Sequence, residues 1–220
     1  MLTSATETKY RLIIVGGGGN GRECAQIAQA MIAAGTASFT IAGFLDDNES
    51  ALVGTSTAWP LLGSISAWQP AEDERFVIAV GNPQVRAKLA DSYTARGAQF
   101  INLIHPTVIL ATNARLGTGI SLSPFSVVSD NAAIDDHVHV NLHTAIGHDA
   151  VVGRASVLSS FCDVTGNVRL GERVLLGSHA SIAPGLKVGD DALVGIGAVV
   201  VSGVKSGKRV FGNPARSLAL

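Results

Sequence analysis

Residues 134–170 read IDDHVH-VNLHTA-IGHDAV-VGRASV-LSSFCD-VTGNVR-L, blocks of six that each begin with an aliphatic residue. Followed outward, the register runs from Ile104, Leu110, Leu116, Leu122 and Val128 up to Val188, Val194 and Val200, and Ser206 ends it. The fifth place of the block is small or branched, as in Ala114, Ser126, Ala132, Thr144, Ala150, Ser156, Cys162 and Ala180. Glycine often follows the aliphatic residue, at Gly117, Gly147, Gly153, Gly171, Gly177, Gly189 and Gly195. Neither a strand period of 2 nor a helix period of 3.6 produces a repeat of six. A short fixed period describes a solenoid, in which each coil buries its apolar face against the next. Three blocks close a triangular coil of 18 residues, so 104–211 are expected to form about six coils of a left-handed parallel β-helix, on the order of 29 Å long at the strand spacing. No insertion is expected to interrupt this stack, which leaves it without loops of its own to wall a pocket.

The first hundred residues follow another rhythm. RLIIV (11–15) reads as a buried strand and leads into Gly16, Gly17, Gly18, Gly19, Asn20 and Gly21. A helix is expected from about Asn20 to Ala34, a strand over 38–45 ending at Asp46 and Asp47, a strand over 76–81, a helix over 83–96 and a last strand over 99–104. Alternating strands and helices imply a small parallel sheet, an α/β Rossmann-like domain over 1–103, with the all-β solenoid over 104–220.

Gly16-x-Gly18-x-x-Gly21 after a strand and opening a helix fits a phosphate-binding turn, in which backbone N–H groups and the helix dipole favour an anion. The same spacing also serves a tight turn that lets helix pack on strand. One half-domain is short for a dinucleotide, so a single nucleotide diphosphate fits better, with Arg22 reaching phosphates and Asp46 or Asp47 holding ribose or base edges. An acid pair at a strand end is equally the mark of a solvated turn.

The chain has 220 residues and a net charge of −1, which offers no electrostatic footprint for nucleic acid. No apolar run has the length of a membrane span, and the opening MLTSATETKY lacks the apolar core of a signal peptide. Two cysteines, Cys24 and Cys162, without metal spacing, read as reduced packing residues of a cytoplasmic protein.

Four histidines fall close together, but the period separates them. His137 and His139 belong to block 134–139, His143 to 140–145 and His148 to 146–151, three different faces of the prism, so no metal site is expected. His148 stands out because Gly166 lies 18 residues on, one coil away and about 4.8 Å distant. An acyl carbonyl would fit between that imidazole and the Gly166 N–H, with His148 taking a proton from an attacking amine or hydroxyl, Asp149 orienting the ring and Gly166 stabilising the oxyanion. The plain alternative is a surface histidine on a polar turn. Flat prism faces favour side-by-side packing with threefold symmetry, with sites in grooves between chains where His148 meets a neighbour's His143.

The stretches IIVGGGGNGRE, GFLDD, IGHDAVVG, TGNVRLGE, GIGAVVVSGV and GNPA, in that order, resemble the sialic acid O-acetyltransferase-like sugar acyltransferases. Within these the chain is most similar to bacterial N-acetyltransferases acting on nucleotide-linked 4-amino-4,6-dideoxy sugars of the bacillosamine, viosamine and perosamine type. The resemblance implies acetyl-CoA as donor, no metal, a homotrimer, and work in surface polysaccharide (O-antigen) biosynthesis. His148 would be the general base with Asp149 beside it, and the Gly166 amide the oxyanion donor. Ser178, Ile196, Asn213 and Pro214 would line the CoA groove, while Gly18, Gly19, Asn20, Asp46 and Asp47 would contact the nucleotide-sugar. Relatives often carry histidine where this chain has Asn20, and again nine residues after the base, where Val157 stands. The first departure points away from UDP-sugars and toward GDP-perosamine. Transfer to a sugar hydroxyl and a non-catalytic nucleotide-sugar-binding scaffold are the competing readings.

Overall fold

The computed structural model describes residues 10–217. Strand β1 (Arg11–Val15) is followed by α1 (Gly19–Ala33), β2 (Thr40–Leu45), β3 (Leu61–Gly63), β4 (Glu74–Ile78) and α2 (Pro83–Ala95). The four strands form a parallel sheet in the order β3-β2-β1-β4. β1 is apolar on both sides because both sheet faces are covered. Leu12 and Ile14 pack with Cys24, Ile27 and Ala28 of α1, while Ile13 and Val15 pack with Ala90 and Tyr93 of α2.

Two details differ from expectation. Strand β3 follows Pro60 and is too short to show an alternating pattern. The strand expected at 99–104 does not extend the sheet: Phe100 makes a single bridge to Phe76, and Leu103–Ile104 is instead the first strand of the solenoid, β5. Asn102 explains the handover, since its side chain bonds the Gly117 carbonyl at 2.8 Å and the Ile120 N–H at 3.0 Å, capping the first coil.

From β5, two-residue strands recur every six residues to β21 (Val199–Val200), then β22 (Arg209–Phe211) and an antiparallel β23 (Arg216–Ser217). They stack into three sheets of five, six and eight strands, the faces of a triangular parallel β-helix. Strands 18 residues apart pair in register, as Ala133 with Val151 and Val140 with Leu158. The aliphatic first place and the small fifth place both point inward, and Val140, Thr144, Ile146, Ala150 and Val152 are each fully buried. Four-residue corners join the faces, and one residue at most corners is left-handed, such as Phe125 (φ 61°), His143 (φ 55°) and Asp149 (φ 60°).

The stack is not uniform to its end. Val194 pairs with Val210 and Val188 with Val204, a spacing of 16 rather than 18, so the last coil is two residues short.

The α/β domain is docked on the first coils. Met31 of α1 reaches the Ile104 N–H, and α2 runs along the corner formed by 135–138 and 153–156, where Arg154 pairs with Asp91 at 2.5 Å. Arg86 is completely buried there, with Nε donating to the His137 carbonyl and Nη1 to that of Val80 at 3.2 Å. No helix among the described residues is long and apolar enough to cross a membrane.

Candidate functional site

The corner of residues 147–150 holds His148 and Asp149 side by side. His148 Nδ1 lies 2.9 Å from Asp149 Oδ2, and Asp149 Oδ1 accepts the Asn131 side-chain amide at 2.6 Å. Arg115 in turn donates to the Asn131 oxygen at 3.0 Å. These bonds to His148 and Asn131 hold the Asp149 carboxyl below the usual carboxylate range. An ionised carboxylate accepts only, so the proton of a neutral ring sits on Nδ1 and Nε2 keeps its lone pair. Nε2 faces Gly166: a Cβ there would lie 2.5 Å from it, a separation no side chain tolerates. A Cβ on Gly147 would come 2.6 Å from the Gly166 nitrogen. The two glycines therefore let the imidazole and the next coil's peptide approach, and the Gly166 N–H has no protein acceptor among the described residues.

Asn131 and Arg115 are absent from the sequence reading. The signal was available, since Asn131 lies one coil, 18 residues, before Asp149 and shares its left-handed corner position.

The other three clustered histidines have separate surroundings. His139 is buried at the domain interface, its Nδ1 2.6 Å from Ser121 Oγ. Burial, then the nearby Arg86 charge, pushes it down to about 3. His137 is also buried, its ring against Phe100, and is pushed down to about 4 by the same causes in the same order. His143 stacks between Phe125 and Phe161, with His179 beyond, at centroid distances of 5.0, 4.9 and 4.9 Å. Cys24 and Cys162 are buried, and burial raises their thiols to about 11 and about 12.

At the other end of the molecule, α1 starts directly from the glycine turn. Gly18 is its N-cap with no side-chain bond, and the first helical turn holds no acid. A Cβ on Gly21 would meet the Gly16 carbonyl at 2.0 Å, whereas one on Gly18 would meet nothing within 4 Å. Gly21 thus serves packing, while Gly18 borders open space at the helix N-terminus and at the carboxyl end of β1, where open parallel sheets take ligands. A cavity of about 500 Å³ there is lined by Gly19, Arg22, Glu23, Gln26, Thr55 and Thr57. Asn20 faces Cys24 instead, its Oδ1 3.8 Å from the sulfur. Asp46 is engaged in the turn itself, accepting the Gly17 N–H at 2.8 Å and the Asn48 N–H at 2.9 Å. Asp47 accepts Ser64 Oγ at 2.5 Å and the Ser66 N–H at 3.2 Å, and these bonds lower its carboxyl.

Glu23 and Gln26 also line a second crevice of about 160 Å³, between α1 and the solenoid corner that holds Ser123, Pro124, Asn141 and Leu142. The Ser123 hydroxyl is buried and has no hydrogen-bond partner among the described residues. Ser178 and Ile196 lie further along this corner and line a shallow cavity with Ser159 and Phe211. It is not the corner of His148 and Gly166. One chain therefore keeps the expected base and the expected CoA-lining residues on separate edges, and His148, with 62% of its side chain exposed, has no enclosing wall. Asn213 and Pro214 join in a cis peptide beyond β22.

Residues 11–93 match the PglD N-terminal domain. The curated GDP-perosamine N-acetyltransferase of Escherichia coli O157:H7 is 29% identical over 78 residues, 36% of this chain. The chain spans about a third, 35%, of the length of that relative. The acetyltransferase domain of PglB from Neisseria gonorrhoeae FA1090, solved in complex with acetyl coenzyme A, is 28% identical with a TM-score of 0.85, covering 96% of this chain and 100% of that one. A variant of perosamine N-acetyltransferase from Caulobacter crescentus, in complex with CoA and GDP-perosamine, is 26% identical with a TM-score of 0.84, over 95% and 97% of the two chains.

Proposed function

We propose that the chain is one of the sialic acid O-acetyltransferase-like sugar acyltransferases of the left-handed β-helix superfamily, and that it transfers acetyl from acetyl-CoA to the 4-amino group of a nucleotide-linked 4-amino-4,6-dideoxy sugar. GDP-perosamine is the favoured acceptor, supported by the names of the curated relative and of the Caulobacter enzyme. The observation that carries the reading is the line Asn131–Asp149–His148–Gly166, a base with a fixed tautomer beside a coil whose Gly166 N–H has no acceptor among the described residues.

In this reading the nucleotide diphosphate lies at Gly18, Gly19, Asn20 and Arg22, with Asp46 and Asp47 shaping the turn that receives it. The sugar extends along Glu23 and Gln26 into the crevice beside Asn141, where Ile27, Pro124 and Leu142 give a deoxygenated ring apolar surface to lie against. The amine nitrogen attacks the thioester carbonyl carbon, and its proton passes to His148 Nε2. The Gly166 N–H stabilises the carbonyl oxygen as it becomes anionic. When the carbon–sulfur bond breaks, the imidazolium returns the proton to the leaving thiolate, giving the acetamido sugar and free CoA.

Two edges of the prism must meet for this to occur, so the active assembly is a homotrimer with the donor between the His148 corner of one chain and Ser178 and Ile196 of the next. Phe125 and Phe161, 55% and 46% exposed, support such an interface, because aromatic columns of this kind are rarely left to water. The product would serve surface polysaccharide synthesis, and acetyl-CoA as donor implies a cytoplasmic setting. Thiol release from acetyl-CoA, followed with GDP-, UDP- and dTDP-linked amino sugars and with their hydroxyl counterparts, tests the reading. Release with a 4-amino sugar nucleotide is expected; silence with every acceptor favours a binding scaffold, and release only with hydroxyl acceptors makes the chain an O-acetyltransferase.

A further inference from the structure

The solenoid satisfies its buried hydroxyls with one exception. Ser121, Ser126 and Ser156 are fully buried, and each finds a partner: His139 Nδ1 at 2.6 Å, the Ser123 carbonyl at 2.8 Å and the Gly171 carbonyl at 3.0 Å. Ser123 is buried as deeply, 2% exposed, yet its hydroxyl has no partner among the described residues. Its backbone is engaged on both sides. The N–H donates to the Val140 carbonyl at 2.9 Å, and the carbonyl accepts the Ser126 N–H at 3.3 Å as well as the Ser126 hydroxyl. Those bonds fix where the free hydroxyl stands, in the lining of the crevice of about 160 Å³ between α1 and the solenoid. Neighbouring polar groups there are tied elsewhere: His105 Nδ1 lies 2.8 Å from Thr107 Oγ1, and Asn141 Oδ1 accepts the Leu142 N–H at 2.7 Å. A buried hydroxyl left unpaired is destabilising, and its position beside an open crevice gives it a use in binding.

The shape of the two cavities selects the group it would hold. Glu23 and Gln26 of α1 belong to both the crevice and the cavity at the α1 N-terminus, so the two spaces share a wall. Ser123 lies across the crevice from that wall, on the solenoid side. A sugar entering from the nucleotide end has C1 toward α1 and the opposite side of its ring toward the solenoid. On that side C4 carries the amine, which must stay open to the donor, and C5 carries the methyl group. The hydroxyl left there is the one on C3. A serine hydroxyl both donates and accepts, and so matches another neutral hydroxyl. We propose that Ser123 is a specificity-determining residue for the acceptor, its hydroxyl pairing with the 3-hydroxyl of the amino sugar beside the amine that is acetylated. The inference rests on the acceptor reading given above. An analogue without that hydroxyl leaves Ser123 buried and unpaired in the complex, and the site rejects it for that reason.

The test uses GDP-perosamine with its 3-deoxy and 2-deoxy analogues, in the wild type and in Ser123→Ala. The wild type is expected to favour GDP-perosamine over the 3-deoxy analogue by roughly tenfold in kcat/KM, the scale of one hydrogen bond between neutral groups. In Ser123→Ala the two are expected to converge at the lower value, with the KM of acetyl-CoA unmoved and the 2-deoxy analogue discriminated as before. No 3-deoxy preference in the wild type, a preference undiminished in the variant, or convergence for the 2-deoxy analogue instead would overturn the assignment. The melting temperature of the ligand-free variant is expected to equal or exceed that of the wild type, because a hydroxyl without a partner is removed; a lower one would show that the hydroxyl is bonded within the protein, and overturns it too. Calorimetric binding of the same sugars reads the contact without turnover. A 3-hydroxyl preference lost in the variant upholds the proposal even if no acetyl transfer is found. Binding without such a preference overturns the role of Ser123 alone, whereas a wild type that does not bind GDP-perosamine overturns the acceptor reading and this inference with it.

Discussion

The His148 imidazole lies over Gly166 so closely that any side chain at 166 would occupy the space of the ring, with a Cβ 2.5 Å from Nε2. Gly166→Ala therefore pushes the imidazole off its line. Because the ring is mostly exposed it can swing into solvent, and the fold is not expected to suffer. The expected result is a kcat lower by roughly 10²-fold, the cost of misplacing a reacting group by about an ångström, with an unchanged melting temperature. A variant with wild-type kcat would show that the base does not work from this position.

His148→Asn is expected to keep both substrates' binding and to lose roughly 10²-fold or more in kcat, the scale of general-base catalysis. Asn131→Ala leaves the base in place but removes one support of Asp149. A smaller loss, about tenfold, is expected there, confined to kcat. If Asn131→Ala instead raised the KM of the acceptor alone, its role would be contact with the sugar rather than orientation of the base.

Gly18 has an ordinary φ of −69° and open space around it, so Gly18→Val fits the fold. The added side chain blocks the approach to the α1 N-terminus. The acceptor KM is expected to rise roughly tenfold or more, the worth of hydrogen bonds to a charged group, while the KM of acetyl-CoA stays put. Equal damage to both constants would place both ligands on the same turn.

Phe125→Glu with Phe161→Glu places charge in the exposed aromatic column. Light scattering is expected to show a trimer for the wild type and smaller species for the variant, with activity falling in parallel. A fully active monomer of either form would remove the case for a site shared between chains.

Acid stability follows from the domain interface. His137 and His139 are held neutral by burial, at about 4 and about 3, whereas both titrate near 6.5 once unfolded. Between those values the unfolded chain binds more protons, so the stability they contribute is complete above about pH 6.5 and is lost as pH falls toward 4 and then 3. His139→Asn keeps a partner for Ser121 that cannot be protonated. Its denaturation midpoint is expected to fall less steeply between pH 6.5 and 4 than the wild type's. An identical slope would mean that another group governs the acid limb.

The six-residue period alone determined which residues become neighbours one coil apart. In a stack of coils, sequence spacing translates directly into distance, because each strand has one parallel partner in fixed register. For that reason His148 and Gly166, and equally Asn131 and Asp149, are adjacent by arithmetic, and the glycine turn before α1 was readable from its strand-loop-helix context. Contacts without a period were beyond such reading. Only tertiary packing decided that α2 lies along one corner through Arg86 and His137, and that His139 is buried near Arg86. The same holds for Asp46, whose carboxylate was taken by a backbone N–H 29 residues away, and for the last coil, where Val204 rather than Ser206 found Val188 because an inward-facing valine buries better than a serine.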